Sequence, residues 1–277
     1  MLHAQWPGLS ESPGEGVVHG NQRVVRDLRR AAVRGEIVAE FQSQVDARDG
    51  RTVAVEALSR WRHPQRGVLG PQHFIPIAEE TRSMDAIGDA MLRCACRFAA
   101  DLAAAGRRIE VAVNVAAVQL ERADFAERVL DRLRTDGVRP EVLMLELTES
   151  RPSPAAAEGN LRRVRAHGVG VSLDDVRSVE EAEFRAGALP ITELKVDRSL
   201  IQHVTEERTE VARLVRFARD RGLRTVAEGV ETELQWEAVR ELGFDRAQGF
   251  LFGRPSTPER MTARLRAEAG GPAQSEL

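Results

Sequence analysis

The sequence predicts an α/β fold in which eight strands alternate with helices and close as a modified (β/α)8 TIM-like barrel with an antiparallel first strand. Three observations carry this expectation. Short β-branched runs recur between stretches of helical periodicity along most of the chain. The first two runs are joined through Asp49-Gly50, which is type I′ two-residue hairpin chemistry, so these strands run antiparallel. No Ser/Pro/Gly-rich linker and no solenoid-type repeat interrupts the alternation, which favours one folded unit. A doubly wound open sheet is the alternative, but no G-x-G-x-x-G follows a first strand.

Residues 1–20, with Pro7, Pro13 and four glycines, lack periodicity and read as a flexible lead-in. The folded body is expected over 21–267, followed by a flexible tail at 268–277. Val24, Val25, Leu28 and Ala32 share a helical face over Asn21–Arg34, which Gly35 stops. The hairpin strands follow at Ile37–Val45 and Thr52–Leu58. Six further strands are expected at Val111–Val115, Val142–Leu147, Val169–Leu173, Ile191–Val196, Leu223–Ala227 and, most weakly, Phe244–Gln248. Helices such as Asp85–Ala105, Arg122–Thr135 and Thr209–Arg221 separate them.

Composition narrows the function. The chain of 277 residues is 42% hydrophobic and 30% charged, which excludes disordered and fibrous classes. A net charge of −3 with both signs mixed argues against a nucleic-acid polymer as partner. No apolar run has the length of a membrane span and no signal pattern opens the chain, so no membrane partner and a cytoplasmic location are expected. Cys94 and Cys96 sit two apart on one helix and point in different directions, as buried small residues rather than a disulfide or metal clip. Of 40 basic residues only one, Lys195, is lysine. Where surface charge is supplied by arginine throughout, a single compact ammonium invites a functional reading beside a phosphate oxygen or a metal-bound water, with chance survival in an Arg-rich chain as the alternative. With no tyrosine present, a phenolic general acid is excluded.

A barrel places its chemistry where the strands end. In order those ends carry Glu56, Asn114, Glu146, Asp174-Asp175, Lys195, Glu228 and Gln248. Carboxylates gathered with an amide oxygen repel one another unless cations hold them, and oxygen donors select hard ions such as Mg²⁺, Mn²⁺ or Ca²⁺. None of the six histidines has zinc-type spacing. The vicinal aspartates suit a pair of ions that activates water for attack on phosphorus. Lys195 would stabilise that water as hydroxide or neutralise a phosphate oxygen.

These residues fall in motifs that resemble the EAL domain, a bacterial family that hydrolyses cyclic di-GMP. The resemblance runs from about Glu40 to about Thr262. It comprises Glu56-Ala57-Leu58, Arg60-Trp61, His63-Pro64, Phe74-Ile75-Pro76, Val113-Asn114-Val115, Glu146-Leu147-Thr148-Glu149, Asp174-Asp175, Lys195-Val196-Asp197, Glu228-Gly229-Val230-Glu231 and Gln248-Gly249. It implies metal binding by Glu56, Asn114, Glu146 and Asp174, with Asp175 and Glu228 at a second Mg²⁺ or Mn²⁺. Catalysis would fall to Lys195, Glu228 and Asp175, nucleotide contacts to Gln42, Arg60, Glu231 and Gln248, and bracing of the loop after the aspartates to Glu149. The implied activity is a cyclic-guanylate-specific phosphodiesterase giving linear pGpG in second-messenger signalling. Regulation is expected from a partner protein, a homodimer or expression level.

One segment departs from the family. Its D-F-G-x-G-Y-S-S-L loop reads here Asp175-Val176-Arg177-Ser178-Val179-Glu180-Glu181-Ala182-Glu183, without its glycines and aromatics. Residues other than glycine resist positive φ, and extra glutamates facing a phosphate pocket would repel substrate. The alternative function is therefore a weak or inactive domain acting as a cyclic di-GMP receptor or protein-interaction module. Smaller departures are Phe41, Ser43, Arg82 and Ala116 in place of Tyr, Pro, Gly and Ser.

Overall fold

The structure is a computed structural model that describes residues 27–148 and 154–270, apart from 29 and 82. The expectations for 1–20, for the start of the Asn21–Arg34 helix, for Arg82, for Glu149 and for 271–277 lie outside these residues. The chain forms two compact units, one within residues 1–38 and 59–91 and a larger one within 39–58 and 92–277.

The larger unit carries the barrel. The strands are β1 (Ile37–Asp46), β2 (Thr52–His63), β4 (Glu110–Val115), β5 (Leu143–Leu147), β6 (Gly170–Val176), β7 (Glu193–Val196), β8 (Arg224–Ala227) and β9 (Arg246–Gln248), with a short β3 (Gly67–Leu69) between β2 and β4 in the chain. The hydrogen-bonded order β1-β9-β8-β7-β6-β5-β4-β2 closes through a β1–β2 pairing. The pairs from β2 and β4 round to β8 and β9 are parallel, and β1 runs against β9. Parallel strands covered by helices are buried on both faces, which is why their sequences are near-continuous apolar runs; β5 and β7 are buried at every residue.

Four features differ from the sequence expectation. The β1–β2 hairpin is not a two-residue turn: Asp46 N–H donates to the Arg51 carbonyl at 2.9 Å, so four residues form the loop, and only Gly50 takes positive φ, at 71°. A two-residue type I′ turn needs positive φ at both central residues, and Asp49 does not adopt it. In the smaller unit, β2 continues past Leu58 and pairs antiparallel with β3, Trp61 opposite Leu69; a three-residue strand is too short to show periodicity. The segment read as a loop after Asp175 becomes a helix, Val179–Ala186. The last helix, Pro258–Gly270, runs into the segment expected to begin the tail.

Strand alternation sets the barrel interior in layers. Glu110, Glu193, Arg224 and Arg246 are the first residues of β4, β7, β8 and β9. Arg224 donates to Glu193 at 2.6 Å and to Glu110 at 2.8 and 3.1 Å, and Arg246 donates twice to Glu110 at 2.9 Å. Residues two or four further along the same strands share that face, and there the apolar Ala112 and Val226 give way to Asn114, Lys195, Glu228 and Gln248. Cys94 and Cys96 form no disulfide; Cys94 is half-buried, and burial pushes the Cys96 thiol up to about 12, far from reactive thiolate. No helix among the described residues is long and apolar enough to cross a membrane.

Candidate active site at the strand ends

Lys195 is completely buried, and its Nζ lies 2.8 Å from both Asp174 Oδ1 and Glu228 Oε1, 3.2 Å from Glu146 Oε1 and 3.7 Å from Glu56 Oε2. Four strand ends thus meet around one ammonium. Glu56 is further held by Asn114, whose Nδ2 donates to Oε1 at 2.7 Å, and by Gln248, whose Nε2 donates to Oε2 at 2.7 Å. The same Gln248 amide donates to Gln42 Oε1 at 3.2 Å, and Gln42 donates onward to the Gly253 carbonyl at 3.1 Å.

Gln248 is aimed by a close backbone crossing. Val230 N–H donates to the Gln248 carbonyl at 3.0 Å, and a Cβ on the next residue, Gly249, would lie 2.0 Å from the Val230 carbonyl oxygen. Only glycine fits there.

Asp174 and Asp175 are neighbours, and in a regular strand neighbours face opposite sides. Here β6 carries one extra residue: Leu173 pairs with Leu194 and Val176 with Val196, so three steps on β6 match two on β7. The extra residue forms a bulge, with Asp175 at φ 53°, the one non-glycine residue with positive φ among those described. Aspartate tolerates this left-handed conformation better than most side chains. As a result Asp174, Asp175 and Glu228 bring ligand oxygens within 4.8 Å of one another.

Electrostatics reinforces the grouping. Burial and the neighbouring Glu56 carboxylate push Glu146 well above the ordinary carboxylate range, and burial with Asp174 does the same for Glu228. Burial also raises Asp174, against the pull of Lys195. Burial opposes charge on Lys195, but the four carboxylates outweigh it and hold the ammonium well above its usual value. Glu56, buried too, is lowered by Lys195 and by its amide donors. Glu146 Oε2 is a buried oxygen that accepts no hydrogen bond. A set of crowded, all-oxygen donors whose like charges repel is one that a hard divalent cation stabilises, so these residues fit such an ion.

The altered segment takes a definite form. Ser178 caps the Val179–Ala186 helix by accepting from Glu181 N–H at 3.1 Å, while Glu181 reaches back to Arg177 N–H at 3.0 Å. No residue from Val176 to Ala186 takes positive φ, so the missing glycines are not required. Glu180 pairs with Arg213 at 2.8 Å, Glu181 with Arg185 at 3.0 Å and Glu183 with Arg221 at 3.1 Å, so each extra glutamate faces an arginine.

One sequence candidate in the same unit, Glu231, is not gathered into this cluster: it faces Arg198 at 3.9 Å and Gln202 at 3.4 Å. Arg60 belongs to the smaller unit, where it donates to its neighbour's carbonyl at Ser59. Two residues went unremarked in the sequence. Gln44, buried on the same face of β1 as Gln42, donates to Gln248 Oε1 at 3.0 Å and Glu146 Oε1 at 3.5 Å; the two-residue spacing was the available signal. Arg185 was hidden among many arginines.

Fold and site together define a closed α/β barrel with an acidic, lysine-centred cluster at the C-terminal ends of its strands. The EAL domain family model matches residues 25–255, and the chain belongs to the EAL domain family. It is 37% identical to the bifunctional diguanylate cyclase/cyclic di-GMP phosphodiesterase MucR of Pseudomonas aeruginosa, over 96% of this chain and 40% of that protein. To the cyclic di-GMP phosphodiesterase RocR of the same organism it is 33% identical, over 83% of this chain and 60% of that one. The chain therefore spans less than two thirds of each of these relatives. A solved structure of the PaMucR phosphodiesterase in complex with c-di-GMP superposes with a TM-score of 0.78 at 35% identity, covering 86% of this chain and 99% of that one.

Proposed function

We propose that this chain is a metal-dependent phosphodiesterase that hydrolyses cyclic di-GMP to linear pGpG, using two Mg²⁺ or Mn²⁺ ions. The observation that carries the reading is the convergence of Glu56, Glu146, Asp174 and Glu228 on the buried Lys195 ammonium, with Asn114 and Gln248 fixing Glu56. Glu56, Asn114, Glu146 and Asp174 would hold one ion, and Asp174, Asp175 and Glu228 the other. Bound divalent ions supply Lewis acidity toward phosphoryl oxygen and lower the pKa of water.

In this reading water forms a bond to one phosphorus of the cyclic dinucleotide, the bond from that phosphorus to O3′ breaks, and the leaving O3′ takes up a proton. The other phosphodiester is untouched. Lys195, held charged by its carboxylates, steadies negative charge on the attacking oxygen or the phosphate, and the buried site keeps bulk water from screening it. The capped helix after Asp175 supports turnover over a receptor role, because it leaves the aspartate pair formed and turns the extra glutamates to arginines.

The test is incubation of purified protein with cyclic di-GMP and Mn²⁺, following pGpG by chromatography and binding by calorimetry. Metal-dependent pGpG formation is the expected result. Binding without pGpG would replace the enzyme by a receptor, and neither would leave a protein-interaction module.

A further inference from the structure

In a chain so rich in arginine, only Arg185 and Arg246 are buried among the described residues. Arg246 is accounted for by Glu110 at the opposite end of the barrel. Arg185 is not a surface charge that happens to be covered. A buried guanidinium loses its hydration and persists only where fixed acceptors replace water. Its acceptors are Glu181 Oε1 at 3.0 Å, the Leu147 carbonyl at 3.3 Å and the Asp175 carbonyl at 3.5 Å.

The placement of those two carbonyls is informative. Leu147 follows the ligand candidate Glu146 at the end of β5, and Asp175 is the bulge residue of β6. The β5–β6 register ends at Leu147 opposite Leu173, so beyond that rung the ladder no longer sets the distance between these strand ends. The guanidinium spans the gap. Its planar fork can donate to two carbonyls while Glu181, one helical turn back, fixes its direction.

We propose that Arg185 is a positioning residue for the second cation: by gripping the Leu147 and Asp175 carbonyls it holds Asp175 in its left-handed conformation, and so keeps Asp174, Asp175 and Glu228 converged. This rests on the two-ion phosphodiesterase reading above. A non-glycine residue released from positive φ relaxes to negative φ, which turns its side chain to another direction. Arg185 touches none of the reacting atoms, and its effect is carried entirely by the bulge.

The experiment compares wild type, Arg185→Gln, Arg185→Lys and the control Arg213→Ala by calorimetric titration with Mn²⁺ and by kcat and KM for cyclic di-GMP. Arg185→Gln is expected to keep the tighter Mn²⁺ site and weaken the other about tenfold or more. Its kcat falls at subsaturating Mn²⁺ and recovers as Mn²⁺ is raised, while KM is nearly unchanged. Arg185→Lys, which keeps the charge but not the fork, is intermediate, and Arg213→Ala matches wild type. A folded Arg185→Gln that titrates Mn²⁺ like wild type overturns the proposal. If that variant does not fold, Arg185→Lys decides in the same way, since unaltered Mn²⁺ binding in it is equally fatal. Should wild type fail to hydrolyse cyclic di-GMP, the activity reading falls, and the Mn²⁺ titrations still decide the role of Arg185.

Discussion

Glu193 and Lys195 stand two residues apart on β7 and face the same barrel interior, yet they belong to opposite charged layers: Glu193 accepts from Arg224 at one end, and Lys195 meets four carboxylates at the other. Each layer is expected to answer to mutation in its own way. The end holding Glu193 is expected to govern stability, and the end holding Lys195 to carry the proposed chemistry.

Replacing Lys195 by methionine is expected to lower turnover by about 10²- to 10³-fold, because a preorganised charge at the reacting centre is lost. Lys195→Arg keeps the charge and is expected to fall within about tenfold of that defect, since a planar fork does not fit a fully buried site shaped around Nζ. Steady-state pGpG formation checks both. Wild-type turnover in the arginine variant would show that charge alone suffices.

Asp175 separates the ligand from the backbone. Asparagine tolerates the left-handed conformation as aspartate does, so Asp175→Asn should melt like wild type while losing Mn²⁺ affinity. Asp175→Val should lose about 1–2 kcal/mol of stability as well, from a β-branched residue at φ 53°. Urea melts beside Mn²⁺ titrations distinguish the two effects.

Gly249→Ala forces a methyl group against the Val230 carbonyl. A backbone neighbour cannot swing away, so a loss of about 2 kcal/mol or more is expected, with Gln248 displaced from Glu56. A melt unchanged from wild type would refute the close crossing.

At the other end, burial pushes the Glu110 carboxyl up, but Arg246 and Arg224 pull it further down, below its ordinary value of 4.5. A depressed folded-state pKa makes its contribution complete above that value and progressively lost as the pH falls below it. Glu110→Gln should therefore be less stable than wild type by about 2 kcal/mol near pH 7, with the gap closing as the pH falls below the ordinary carboxylate range. Turnover per folded molecule should be little affected. A gap that widens in acid would reverse the assigned sign.

Much of the site was legible because a barrel converts strand ends into one location: Glu56, Asn114, Glu146, Asp174, Lys195, Glu228 and Gln248 are far apart in sequence and needed only the strand assignment to be grouped. What escaped reading depended on tertiary context. The Val179–Ala186 helix was masked by comparison with a glycine-rich loop, although Ser178 and Glu181 already form a helix-start signature. Arg185 looked like any other arginine until its burial was known. Asp49-Gly50 suits both a two-residue turn and a longer connection that needs positive φ only at its final glycine, and composition alone does not separate them. The bulge in β6 left no periodicity to detect, since one inserted residue merely shifts the alternation.

On the two-ion reading proposed above, that inserted residue makes metal capacity a matter of chain length as well as residue type. Removing one position between Leu173 and Val176 would let β6 and β7 pair without interruption and leave one aspartate facing the site where there are now two. The barrel would lose little, and its sheet would gain regularity. A relative differing by that single deletion could keep every other motif residue and still handle only one ion, so sorting such proteins by activity calls for aligning gaps at this strand end as carefully as identities.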